Sequence, residues 1–314
     1  MFWNENHSQD DIMRIVRSTQ ADSPVAGEAL SPMNLIRLRD TCMHFGSRVA
    51  LAPTDLVCTR SESVAVIGAN GSGKSTLLKL IAGLIKPTDG KVEVDGAVAF
   101  VGQHQHHHQW MPLSVEEVLR MGRYRSWIGR MGLADRIAID QAAEQLEIAG
   151  LLKRSFGALS GGQRQRVLVA KAVATESDVL LLDEPITGLD LPSQQIILDV
   201  IEDHSARGGT AVFTTHHLGE ARRADRVLLL AGCVLADGSP AEVLVPELLA
   251  EAFGGRMVAG EAVVIDEHHH HDLEQHTGAT DLSAHLDSHH HHHEHDHHHE
   301  HDHDLREHGL GESL

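Results

Sequence analysis

The chain has 314 residues, 41% of them hydrophobic, enough for one large α/β domain with appendages or about two average domains. Its longest apolar run, residues 227–236, is half of the roughly twenty residues a membrane span needs, and three separate cysteines (Cys42, Cys58, Cys233) without a CxxC pair exclude a disulfide framework or thiolate zinc site. The net charge of −19 is uneven: residues 266–314 hold 13 acids and one base, residues 1–265 hold 32 acids and 25 bases, and so mildly acidic a body argues against nucleic acid as main partner.

Residues 1–33 are polar, with Ser-Pro at 23–24 and 31–32 and one short amphipathic stretch at 10–16, and read as a loosely ordered extension. They lack a basic start followed by an apolar stretch, which argues against a secretory leader. From Asn34 the pattern changes. Residues 64–67 (VAVI) form an apolar run entering a glycine-rich turn, and 74–84 then read as a helix ending near Lys86-Pro87. Residues 92–94 and 97–101 read as short strands split by the Asp95-Gly96 turn. Residues 115–121, 137–149 and 163–174 have helical periodicity. Residues 179–182 and 211–214 are compact apolar runs with polar residues at their C-terminal ends, the pattern of buried parallel strands carrying active groups. One α/β domain is therefore expected over 34–256. After it, 257–314 should be a linker and a low-complexity tail, too poor in apolar residues to offset the entropy cost of ordering.

Gly68, Ala69, Asn70, Gly71, Ser72, Gly73, Lys74 and Ser75 fit G-x-x-x-x-G-K-[ST] between a strand and a helix, with Thr76 following. The glycines let backbone N–H groups turn inward around a phosphate, and the helix start adds its dipole. Lys74 would reach the β- and γ-phosphates and the Ser75 hydroxyl would hold Mg²⁺. About a hundred residues on, VLLL at 179–182 ends in Asp183, placed to bind that Mg²⁺ through water, and in Glu184, placed to polarise an attacking water.

Between these lies Leu159-Ser160-Gly161-Gly162-Gln163, followed by a basic helix over 164–171. With this motif the sequence resembles the ATP-binding subunits of ABC transporters from about Leu35 to Gly255, its motifs in the family's order. The resemblance implies a P-loop NTPase of the ABC type: a mixed, mostly parallel β core with a helical subdomain at about 104–174. It also implies ATP and Mg²⁺ as ligands and a head-to-tail homodimer in which each Ser160–Gln163 turn meets ATP on the partner's glycine loop. Gln103 resembles the glutamine that contacts Mg²⁺ and senses a membrane partner, Asp190 the aspartate that couples the two sites, and His216 the switch histidine on the γ-phosphate. Phe45 takes the place of the aromatic residue that stacks on adenine, although a core phenylalanine also explains it. In two places the chain departs from the family: Ser61 replaces the usual glycine before Glu62, and His217 the usual aspartate after the switch histidine.

MPLSVEEVL at 111–119, followed by Met121-Gly-Arg-Tyr124, resembles the helical region of ABC subunits that serve zinc and manganese uptake. The loop before it, with His104, His106, His107 and His108, reads as a solvated variable loop or as a metal-responsive contact. Eighteen of the 27 histidines lie in the tail. The candidate zinc ligands there are His268, His269, His270, His271, His289, His290, His291, His292, His293, His295, His297, His298, His299, His301 and His303. Imidazole suits Zn²⁺ better than Mn²⁺, so the tail favours zinc as a reservoir or sensor; a solubilising role is the alternative. The expected whole is an ATPase on the cytoplasmic face of the membrane, working with an integral membrane permease and an extracytoplasmic metal-binding protein. Nickel, cobalt or manganese transport and a soluble metal-storage protein with an accessory nucleotide domain remain the alternatives.

Overall fold

The structure, a computed structural model, describes residues 33–103, 113–123 and 131–253. The chain divides into two units, Met1–Ile265 and Asp266–Leu314, and all described residues belong to the first. The N-terminal stretch at 10–16, the histidine loop at 104–108, Tyr124 and every tail histidine lie outside the described residues.

Two sheets form the frame. Strands β1 (Asn34–Phe45), β2 (Arg48–Thr59) and β4 (Asp89–Val94) make an antiparallel sheet in the order β2-β1-β4. The larger sheet runs β5 (Val98–Val101), β6 (Val179–Leu182), β7 (Thr210–Thr214), β3 (Glu62–Ile67), β8 (Arg226–Leu230), β9 (Val234–Gly238). Its first five strands are parallel and β9 is antiparallel to β8. Every residue of β6 and β7 is buried, which is why both are short continuous apolar runs rather than alternating ones.

Successive side chains on these strands point to opposite faces and fill two separate cores. Ala65, Ile67, Leu180, Leu182, Ala211 and Phe213 pack against helices α2 (Val115–Met121), α3 (Leu133–Gln145), α4 (Gly161–Val173) and α5 (Leu191–Ala206). On the other face, Val64, Val66, Leu181, Val212 and Leu228 pack against α1 (Lys74–Ile81) and against Leu35, Ile36, Leu38 and Leu51 of the small sheet. Short helices α6 (Leu218–Ala221), α7 (Pro240–Val243) and α8 (Pro246–Ala252) complete the described chain.

Three boundaries differ from the sequence reading. Helix α1 stops at Ile81, because Gly83 turns left-handed (φ 67°) and the Leu84 and Gly83 N–H groups close back on Lys79 and Leu80. Helix α3 spans Leu133–Gln145 rather than 137–149: the Gly132 N–H donates to the Asp135 carboxylate at 2.8 Å at its start, and Glu147 turns left-handed (φ 51°) past its end. The Asp95-Gly96 turn does not join a hairpin: it carries the chain from the small sheet (β4) to the large one (β5), where the Ala97 N–H donates to Asp178 at 2.9 Å. Ser61 sits at φ 60°, so the family's usual glycine has a backbone reason there.

Candidate functional site

The parallel strands bring the sequence motifs to one edge of the large sheet. Strand β3 delivers Gly68 at its carboxyl end, and the loop to Lys74 bends through left-handed glycines, Gly71 (φ 83°) and Gly73 (φ 104°). A side chain is excluded at two points: a Cβ on Gly73 would lie 2.6 Å from the Ala50 carbonyl oxygen, and one on Gly68 would collide with that of Leu230. The loop is also pinned from outside, since the Gly232 N–H donates to the Ser72 carbonyl at 3.0 Å. The Ser72 hydroxyl is buried with no hydrogen-bond partner among the described residues.

Lys74 opens α1 and is 6% exposed. Its Nζ donates to the carbonyls of Gly68 (2.7 Å) and Ala69 (3.1 Å), so the ammonium is folded over the loop. Burial holds its pKa below the ordinary lysine value, with the negative charges of Glu184 and Asp183 pulling the other way. An ammonium held under these conditions is primed for an anion.

One helical step on, the Ser75 hydroxyl donates to Asp183 Oδ1 at 3.1 Å. Asp183 is 2% exposed at the end of β6 and accepts a second bond from the Thr214 hydroxyl at 2.8 Å. The Thr214 oxygen in turn accepts the Glu184 N–H at 2.7 Å. That bond fixes Glu184 in a left-handed conformation (φ 48°), and its carboxylate accepts from Gln103 Nε2 at 2.6 Å and from the Thr187 hydroxyl at 3.4 Å. Four chain segments far apart in sequence thus share one hydrogen-bonded line. Its oxygens, the Ser75 hydroxyl and the Asp183 carboxylate, are the hard donors Mg²⁺ prefers beside phosphate, so the residues present fit that ion.

Ser160 starts α4 as a capping box: its hydroxyl accepts the Gln163 N–H at 3.3 Å, and the Gln163 side chain accepts the Ser160 N–H at 3.2 Å. Ser160 and Gly161 are exposed. Asp190 comes close, since a Cβ on Gly162 would lie 3.2 Å from both Asp190 Oδ1 and Ser193 Oγ. A hydrogen bond from Ser193 holds the Asp190 carboxyl below the ordinary aspartate range. His216 follows β7, half-buried, its ring 4.1 Å from that of His217. Beneath them the Thr215 hydroxyl donates to the buried Glu220, whose carboxyl is pushed up by burial.

Phe45 is 53% exposed at the end of β1, which leaves the core explanation without support. Directly across the turn is Arg48, whose guanidinium lies 3.2 Å from the Cβ position of Gly71. Thr214 and Arg48 escaped the sequence reading. Thr214 looked like one more strand residue, and no motif marks Arg48.

The sequence profile of the ABC transporter family matches residues 51–187. The chain is 36% identical over 257 residues to the hemin import ATP-binding protein HmuV of Streptomyces coelicolor, covering 77% of this chain and 90% of that relative. It is 34% identical over 233 residues to the zinc transport system ATP-binding protein TroB of Treponema pallidum, covering 71% of this chain and 88% of that relative. Among solved structures, one of a metal-chelate type ABC transporter in an inward-facing conformation matches with a TM-score of 0.64 and 32% identity, covering 70% of this chain and 89% of that one.

Proposed function

The chain belongs to the ATP-binding subunits of ABC transporters and is an ATP hydrolase of that family, and from this premise we propose that it powers uptake of a transition metal, zinc foremost, through a separate membrane permease. The catalytic part rests on one observation: the hydrogen-bonded line from Ser75 through Asp183 and Thr214 to Glu184 and Gln103. Glu184 takes a proton from the water that attacks the γ-phosphorus, and ADP leaves as the phosphoryl group passes to that water. Lys74, leaving the Gly68 and Ala69 carbonyls, donates to the β- and γ-oxygens, and His216 holds the γ-phosphate. Ser75, Asp183 and Gln103 would hold Mg²⁺, which would supply further neutralisation of phosphate charge.

The remaining roles follow the same geometry. Gly68 to Thr76 wrap the triphosphate, Phe45 stacks on the base, and Arg48 adds a cation at the loop's outer side. Ser160, Gly161, Gly162 and Gln163 face the ATP of a second copy, with Asp190 beside them. The start of α4 supports that arrangement: Ser160 and Gly161 are exposed at a self-capped helix N-terminus, and a phosphate on another chain is a partner such a terminus suits. The permease and an extracytoplasmic binding protein are separate chains, and the ATPase works at the cytoplasmic face. Among the described residues no helix is long and apolar enough to cross a membrane.

Cargo is read from chemistry. Relatives for hemin and for zinc match almost equally, so identity does not choose between chelate and ion. The eighteen histidines from residue 266 onward favour zinc, with His268 to His271 and the run from His289 to His303 as the ligands. Elemental analysis of metal-limited cells carrying wild type or Glu184→Gln tests this. Cellular zinc falling in the mutant supports the proposal; loss of iron or manganese with zinc unchanged sinks the zinc assignment. Zinc titration calorimetry on the full chain and on one ending near Asp266 tests the tail, and equal stoichiometry would remove it from metal binding.

A further inference from the structure

The opposite edge of the large sheet, where the parallel strands begin, holds a cavity of about 330 Å³. Arg60 precedes β3, Ser177 and Asp178 precede β6, and Gly208 and Gly209 precede β7, so the cavity is at the amino ends of the strands whose carboxyl ends carry the nucleotide motifs. One face of α3 (Ala138, Gln141, Ala142, Gln145) and the last turn of α5, with His204 and Arg207, close it. Its size falls within the range of small-ligand sites.

Two of its polar atoms, Ser177 Oγ and His204 Nε2, are buried without a hydrogen-bond partner among the described residues, and Ser177 is only 8% exposed. Such groups are rare in folded chains, and here both belong to one cavity wall. The His204 ring is held in place by packing over Gly209, where a Cβ would collide with it.

The balance of donors and acceptors decides the ligand class. Both carboxylates on the wall are engaged: Asp178 accepts the Ala97 N–H at 2.9 Å, and Glu176 accepts Arg123 at 2.7 Å. The carbonyls ending α4 and α5 are engaged as well, Ala174 by Arg123, His204 by the Gly209 N–H and Ser205 by the Gly208 N–H. The two arginines are held loosely, Arg60 by Asp178 and Arg207 by Asp203, each at 3.4 Å against the 2.7–2.9 Å of a tight charge-assisted bond. Spare donors therefore face the cavity, guanidinium N–H groups and a hydroxyl, and beside them lies the buried His204 ring, whose pKa burial lowers toward the neutral imidazole.

We propose that this cavity binds a small oxyanion, a carboxylate or a phosphate, on Arg60, Ser177, His204 and Arg207, apart from the nucleotide site. The full-length chain, saturated with Mg-ADP so that the glycine loop is filled, is titrated calorimetrically with inorganic phosphate and separately with succinate at constant ionic strength. Saturable binding of one equivalent of either probe is expected, weakened at least tenfold in Arg60→Gln and in Ser177→Ala, with ADP affinity unchanged in both variants. Response to phosphate alone or to succinate alone identifies the source. Absence of saturable binding by both probes, or equal affinity in wild type and both variants, overturns the proposal. Arg60 is a partly exposed surface residue, so its variant keeps the test sound if Ser177→Ala fails to fold.

Discussion

The glycine loop and the Ser160–Gln163 turn are both helix starts rich in glycine, yet the chain treats them in opposite ways. The loop is held from several sides: by the Ala50 and Leu230 carbonyls, by Gly232, and by Asp183 through Ser75. The turn is held by its own capping box and approached by Asp190 and Ser193, with Ser160 and Gly161 left exposed. In the proposed arrangement one half-site is assembled within the chain. The other is preorganised and turned outward, the state expected of a surface whose ligand arrives on a second copy. Binding and turnover should therefore be separable by mutation.

The largest separation is expected in Glu184→Gln. Removing a general base lowers turnover by about 10²–10⁴, while ATP affinity stays near wild type and ATP-bound dimer accumulates in size-exclusion chromatography. Full hydrolysis by this variant would take Glu184 out of its role. Lys74→Ala acts on binding itself. Loss of a charge-assisted contact of about 2–3 kcal/mol predicts roughly a hundredfold weaker ATP binding by calorimetry, and normal affinity would undo the assignment of the loop.

Ser160→Ala sharpens the contrast from the other side. It removes a helix cap worth about 1 kcal/mol, so the melting temperature falls modestly and ATP binding to the single chain is retained. Turnover should fall far more than stability does; a loss of ATP affinity equal to that of Lys74→Ala would mean that both motifs serve one chain's site.

The smallest effect concerns Glu220. Burial raises its carboxyl pKa, so the protonated form suits the fold, and the stability it contributes is present at low pH and lost as pH rises through that raised value. Glu220→Gln mimics the protonated form. Its melting temperature should match wild type at a pH below the ordinary glutamate pKa, exceed it as pH rises through the raised value, and keep a constant lead above it. A pH-independent difference would show that the carboxylate is not desolvated as the structure has it.

Much of this site was legible because its chemistry is local. A phosphate loop needs glycine where φ is positive and lysine at the first helical turn, and that is contiguous information. Buried parallel strands announce themselves as short apolar runs, so β6 and the core of β3 were readable. Strands β1 and β2 were not: their inward and outward residues are interrupted by register shifts at Leu38–Thr41 and Thr41–Met43, which blur the period of two. Helix α5 was not read either, since two of its six buried positions are Ser193 and Ser205, which leaves the apolar part of its buried face confined to Ile197–Ile201.

By itself, then, the sequence determined the class of machine: glycine loop, acidic strand end and signature turn each carry their chemistry in consecutive residues. Only the tertiary structure decided what joins them. Thr214 became a link between Asp183 and Glu184 because parallel pairing sets β7 beside β6, and Arg48 came to rest over Gly71 because a hairpin folds it there. The same parallel arrangement gathered Arg60, Ser177 and His204 at the far edge, residues with no motif in common. Proximity across a sheet is set by strand order and register, and neither is written in any short stretch of chain.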